Sequence, residues 1–149
     1  MVYVADTARR VQKRRLQSGA LAYRRTEAGD LQVLLVSKSR SKRWGIPKGR
    51  AEADQSLAEN AAREAFEEAG VKGNLSPRAA GMFRATKRTG RRGEVSVIEV
   101  WVYLLEVTKC LSRWPEKHKR AVRWVAWDVA AAELGEPLLV ELCRRLAVR

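Results

Sequence analysis

The stretch Gly49–Val71, GRAEADQSLAENAAREAFEEAGV, decides how the rest of the chain is read. Glu64, Glu67 and Glu68 stand at offsets 0, 3 and 4, which places all three carboxylates on one face of a helix. Like charges stacked in this way destabilise an isolated helix, and a solvated acidic face is the bland explanation. Two features favour a cation site instead. The helix is entered from the turn Pro47-Lys48-Gly49 and left through Gly70, so the acidic face is held beside a loop. The remainder of the chain is strongly basic, so the carboxylates are concentrated against the overall charge.

The helix itself is delimited by ordinary signals. Asp54 or Ser56 can cap its first amides, and Gly70 suits a left-handed stop. Leu57, Ala58, Ala61, Ala62, Ala65 and Ala69 recur at helical spacing as an apolar stripe. Their small size predicts close packing on a sheet. The stripe is expected to face away from the Glu cluster, so that one helix could dock and bind metal at once.

Outward from this stretch, Gly19–Tyr23 and Leu31–Val36 read as two strands joined through a turn containing Gly29, a hairpin. Residues 37–43 (SKSRSKR) read as a loop. After the helix, Ala79–Thr86 reads as a strand and residues 87–93 (KRTGRRG) as a basic turn. Glu94–Val107 is the longest strand candidate, and a slip in its alternation near Glu99 predicts a bulge there. Residues 114–120 (WPEKHKR) form a loop and Val122–Trp127 a strand. Asp128 is expected to cap a helical C-terminal region with Leu138, Leu139, Leu142 and Leu146 on its apolar face, restarted by Pro137 after Gly135. The order of elements predicts an α+β fold in which helices cover both faces of a mixed sheet.

With 149 residues and neither an internal repeat nor a linker, residues 1–149 are expected to form a single domain, with 1–15 a mobile basic arm. Thirty Lys and Arg against 17 Asp and Glu give a formal charge of +13, which favours anionic partners. No stretch approaches the roughly 20 apolar residues of a membrane span. Cys110 and Cys143 lack metal-ligand spacing and read as reduced and structural, in keeping with a cytoplasmic protein. His118, the one histidine, lies in a basic loop and is assigned no catalytic role.

Gly49, Gln55 and the run Arg63-Glu64-Ala65-Phe66-Glu67-Glu68-Ala69-Gly70-Val71 together resemble the Nudix box. That pattern is Gly, five of any residue, Glu, seven of any, then Arg-Glu-apolar-any-Glu-Glu-any-Gly-apolar. One defined position departs from it: Gln55 stands where the box has its first Glu. The similarity extends to the subgroup that hydrolyses diphosphoinositol and diadenosine polyphosphates. It runs through LLVSKSRSKRW (Leu34–Trp44), EEAGVKGNL (Glu67–Leu75), VWVYLLEVT (Val100–Thr108) and the surroundings of Trp114, Arg123 and Trp124.

The resemblance implies a Nudix α/β/α sandwich and metal-dependent cleavage of a pyrophosphate linkage. Mg²⁺ or Mn²⁺ would be held by the hard oxygens of Glu64, Glu67 and Glu68, with the Gly49 carbonyl in addition. Arg63 is expected to orient a carboxylate. In the family it pairs with the box's first Glu, and Gln55 can still accept its hydrogen bond without the charge-assisted bidentate option. Glu52 and Asp54 are near enough in sequence to substitute. A carboxylate of the box, or Glu94 or Glu99, would take the proton of the attacking water.

The basic residues then find a use as phosphate binders: Arg40, Lys42 and Arg43 in the preceding loop, Lys48 and Arg50 beside Gly49, and Lys87, Arg88, Arg91 and Arg92 in the later turn. Three functions follow. The first is hydrolysis of a polyphosphorylated small molecule. The second is removal of pyrophosphate from RNA 5′ ends, which the charge suits equally and for which base stacking would require exposed aromatics, with Trp44, Trp101 and Trp114 unplaced by sequence. The third is binding of a nucleotide or nucleic acid without cleavage, which the three retained glutamates oppose and Gln55 mildly favours.

Overall fold

The computed structural model describes residues 15–37, 43–89 and 93–149. Eight strands form one sheet: β1 (Arg15–Arg25), β2 (Leu31–Ser37), β3 (Trp44–Gly45), β4 (Lys48–Arg50), β5 (Val71–Leu75), β6 (Gly81–Thr89), β7 (Glu94–Cys110) and β8 (Val122–Ala126). Three helices accompany it among the described residues: α1 (Leu57–Ala69), α2 (Trp127–Leu134) and α3 (Pro137–Ala147). The expected basic arm, residues 1–15, lies outside the described residues except for Arg15.

The expected hairpin of the first two strands is present, with Tyr23 opposite Val33 and Arg25 opposite Leu31. The sheet is mixed because β1 also runs parallel to β7, from Arg15 opposite Ile98 to Tyr23 opposite Glu106. Every other pairing is antiparallel. A strand paired at the centre of a sheet and covered on both faces loses the polar–apolar alternation, which is why Ser18–Ala22 is buried without interruption.

Helix α1 lies on one face, where Ala65 and Ala69 meet Ala20, Ala22, Leu34 and Leu105. Alanine on both sides lets the helix approach closely. On the opposite face Leu139, Leu142 and Leu146 of α3 and Ala130 of α2 cover Leu21, Val33, Leu35, Val100 and Val102. Each fully buried leucine contributes roughly 1.5–3 kcal/mol relative to exposure, so this second layer is a principal source of stability. The result is the expected sandwich of helices around a mixed sheet.

Several local expectations are corrected. Glu64 and Glu68 do not point away from the alanine stripe: Asn60, Glu64 and Glu68 are buried alongside Ala61, Ala65 and Ala69. No bulge occurs at Glu99, since β6 and β7 pair without interruption from Gly81 opposite Val102 to Thr89 opposite Glu94. The register shift falls between Lys72 and Gly73, where β5 meets β7. Asp128 does not cap α2; the cap is Ala126, with no side-chain hydrogen bond, and Asp128 sits in the first turn.

Both ends of α1 are fixed. Ser56 Oγ accepts from the Glu59 amide while Glu59 returns a bond to the Ser56 amide, a capping box. At the other end Gly70 adopts φ 66°, and its amide donates to the Phe66 carbonyl. A Cβ there would also run into the indole of Trp114. Glycine is therefore required twice over, by backbone conformation and by the loop that closes on the helix end.

Candidate active site

The turn preceding α1 sits on the middle of β1. The Ala20 amide donates to the Pro47 carbonyl at 3.0 Å, and β4 pairs with β1 through Ser18 opposite Gly49. This brings Gly49 against the side chain of Glu64, leaving no room for a Cβ. Asn60, wholly buried, ties the junction together: its Nδ2 donates to Ser18 Oγ at 2.9 Å and to the Gly49 carbonyl at 3.2 Å. Asn60 had no place in the sequence reading, although its spacing of four from Glu64 is the signal that it shares that residue's buried edge.

Arg63 is the hub of a second network. Its Nε donates to Gln55 Oε1 at 2.9 Å and its Nη2 to Asn60 Oδ1 at 2.6 Å. Its guanidinium also pairs with Glu67 Oε1 at 3.3 Å and stands 3.5 Å from Glu64 Oε1. Gln55 therefore takes the place expected of the missing glutamate, as a neutral acceptor. Glu52 and Asp54 are exposed, and among the described residues the Arg63 side chain bonds to Gln55, Asn60 and Glu67 instead. Because a charge-assisted bond is stronger, Gln55→Glu is expected to raise the thermal midpoint by about 2–4 °C, corresponding to about 1 kcal/mol, without loss of activity. A melting curve beside a rate measurement checks this.

Glu64 and Glu68 form a buried pair. Burial pushes the Glu68 carboxyl up to about 9, a hydrogen bond shared with Glu64 adds to the shift, and Arg120 opposes it. Such a pair shares a proton when nothing else neutralises it, and a divalent cation is the chemically matched replacement. The donor set, two hard carboxylates beside the Gly49 carbonyl, thus fits Mg²⁺ or Mn²⁺. Among the described residues no three such side chains are already drawn into a closed cluster. Glu67, the third ligand expected, is engaged by Arg63.

Glu68 opens onto a cleft of about 540 Å³ whose walls carry Arg43, Lys48, Lys87 and Arg120. Trp44 and Gln17 also line it, and Gln17 Oε1 is buried without a hydrogen-bond partner among the described residues. Of the cations expected to bind phosphate, Arg43, Lys48 and Lys87 are brought together here. Arg50 is not; it borders a separate open hollow beside Gln55. Arg88 follows Lys87 on β6, and neighbouring strand residues point to opposite faces, so it does not line the cleft either. Arg40, Lys42, Arg91 and Arg92 lie outside the described residues.

Arg120 is a cleft residue that the sequence does not single out. Its Nε stands 2.9 Å from Glu116 Oε1 and 3.8 Å from Glu68 Oε1. Neither Glu94 nor Glu99, the alternative bases, lines the cleft; Glu94 is exposed and Glu99 pairs with Arg84 at 3.5 Å. Trp44 carries Arg123 over its ring at 4.8 Å, whereas the indole nitrogens of Trp101 and Trp114 are buried. A further hollow of about 420 Å³ at Arg25, Asp30 and Trp127 contains no residue of the box.

The NUDIX domain family model matches residues 14–146. The chain belongs to the Nudix family. Nudix hydrolases act on phosphoanhydride bonds and generally use divalent metals. Nudix hydrolase 12, mitochondrial, of Arabidopsis thaliana is 34% identical over 144 residues, covering 87% of this chain and 66% of that protein. Diphosphoinositol polyphosphate phosphohydrolase 2 of Rattus norvegicus is 41% identical over 127 residues, 82% of this chain and 65% of the relative. The Nudix chain described here thus spans just under two thirds of either relative's length. Its fold is shared with a crystal structure of the C. elegans Ap4A hydrolase binary complex, at a TM-score of 0.63 and 20% identity over 91% of this chain and 99% of that one. Among the described residues no helix is long and apolar enough to cross a membrane.

Proposed function

We propose that this Nudix protein is a Mg²⁺- or Mn²⁺-dependent phosphohydrolase that cleaves a pyrophosphate linkage in a densely phosphorylated small molecule, of the diphosphoinositol polyphosphate or dinucleoside polyphosphate class. The observation that carries this reading is the cleft in which Arg43, Lys48, Lys87 and Arg120 face the carboxylate of Glu68. Four cations around one such cleft suit a ligand with several phosphate groups. The name of the rat relative and its 41% identity support the same class.

Glu64 and Glu68, with the Gly49 carbonyl, would hold the cation. When bound it supplies neutralisation of phosphate charge and a more acidic water. The four cationic side chains orient the polyphosphate and offset its charge while water adds to one phosphorus and the bond from that phosphorus to the anhydride oxygen breaks, the oxygen leaving on the second phosphorylated fragment. A box carboxylate accepts the proton released by that water. Arg63 keeps Glu67 and Glu64 aligned, and Gln55 and Asn60 keep Arg63 in place.

The test is hydrolysis, read by chromatographic separation of the phosphorylated products, of a panel of inositol pyrophosphates, dinucleoside polyphosphates, nucleotide sugars and triphosphorylated RNA, with Mg²⁺ or Mn²⁺ and again with chelator. The expected result is chelator-sensitive cleavage of one of the first two classes. Cleavage of RNA alone would favour the 5′-end activity. Binding without cleavage of any member would leave a nucleotide-binding module.

A further inference from the structure

The loop between β7 and β8 is fastened to the last turn of α1 at four points. The Leu111 amide donates to the Gly70 carbonyl at 2.8 Å, and the Glu116 amide to the Glu67 carbonyl at 2.9 Å. The Trp114 ring rests on Gly70, and Arg120 reaches Glu68. A loop needs no such attachment merely to connect two strands. Its effect is to fix one ion relay in space: Glu116 to Arg120 at 2.9 Å, then Arg120 to Glu68 at 3.8 Å.

The two distances are unequal in an informative way. Arg120 is at hydrogen-bond distance from Glu116 and only at ion-pair distance from Glu68. All three groups are at most a quarter exposed, so the attraction between them is less screened than at an open surface. Glu116 therefore restrains an arginine that would otherwise close on Glu68 and compete with any cation there. We infer that Glu116 is a positioning residue: by holding Arg120 back from Glu68 it keeps the carboxylate pair open to a divalent cation and keeps the guanidinium aimed into the phosphate cleft. This rests on the reading of Glu64 and Glu68 as cation ligands.

The inference is tested by Mn²⁺ affinity of the protein without substrate, measured from the free-ion signal in electron paramagnetic resonance. Four proteins are compared: the unaltered chain, Glu116→Gln, Arg120→Gln and the double variant. Glu116→Gln is expected to weaken Mn²⁺ binding by about two- to tenfold, the usual size of coupling between contacting charges. Arg120→Gln should bind Mn²⁺ at least as tightly as the unaltered chain, and adding Glu116→Gln to it should change nothing further. Glu116→Asp, which keeps the charge, should recover part of the affinity and confirms that the effect is not one of folding.

A loss of equal size with and without Arg120 would show that Glu116 acts on the cation directly and would overturn the inference. No loss in either background would overturn it as well. Failure of the unaltered chain to bind Mn²⁺ would instead overturn the cation-site reading on which it rests.

Discussion

Glu68→Gln is expected to lower the rate of substrate hydrolysis by about a thousandfold or more, because a carboxylate bound to a catalytic cation is worth several kcal/mol and each 1.36 kcal/mol is tenfold in rate. The same change should make the cation-free protein more stable at alkaline pH. Glu68 is 3% exposed in the folded chain, and its ionised form has little solvent there and Arg120 only at 3.8 Å. Glutamine keeps the shape and the hydrogen-bonding capacity while removing the buried charge. Rates at saturating Mg²⁺, set beside melting curves in chelator, should therefore move in opposite directions. A variant that lost activity and stability together would indicate a structural role for Glu68 instead.

The pH dependence of that stability is the second large effect. Glu68 titrates at 4.5 when unperturbed and at about 9 in the folded, cation-free chain. Between these values the folded state retains a proton that the unfolded state has lost, so stability must fall as pH rises through the window. At 1 kcal/mol for about 2–4 °C in a domain of this size, the midpoint of the unaltered protein should drop by about 5 °C or more relative to Glu68→Gln from pH 5 to pH 9. Comparison with the variant removes the background from the many other titrating groups. Saturating Mg²⁺ should abolish the difference in slope, since the carboxylates are then ionised in the folded state at neutral pH. A difference between the two proteins that is independent of pH would show that Glu68 is not held protonated.

The box helix was legible because its information is local. Ser56, Glu59 and Gly70 are capping residues that act within their own turns, and the alanines at helical spacing report a close contact whatever lies across it. The orientation of Glu64 and Glu68 was not legible for the converse reason. Carboxylates are read as outward-facing, and only the position of Gly49 against Glu64 shows that this edge of the helix is buried beside the preceding turn.

Strand β5 escaped the sequence reading because Lys72, Gly73 and Asn74 are poor strand formers. It exists by pairing with β7, which supplies the partner that local propensity does not. The bulge was misplaced on the same strand: β7 changes register between Val107 and Lys109, opposite Gly73 and Lys72 near the start of β5. Arg120 was invisible for a related reason. Nothing in WPEKHKR marks its last residue over Lys117 or Lys119; the loop's attachment to α1 alone selects it. Conversely, the grouping of Arg43, Lys48 and Lys87 was anticipated by a resemblance that linked distant segments, which charge composition by itself could not do.

The central claim is that the buried carboxylates of α1 are built to hold a divalent cation facing a phosphate cleft. Crystals of the protein soaked in Mn²⁺, with anomalous diffraction used to locate the metal, test it most directly. An anomalous peak is expected between Glu64 and Glu68 at roughly 2.1–2.2 Å from their oxygens, close to the Gly49 carbonyl and at the Glu68 side of the cleft. Absence of a peak there, with Glu64 and Glu68 still sharing their proton contact at saturating Mn²⁺, would contradict it.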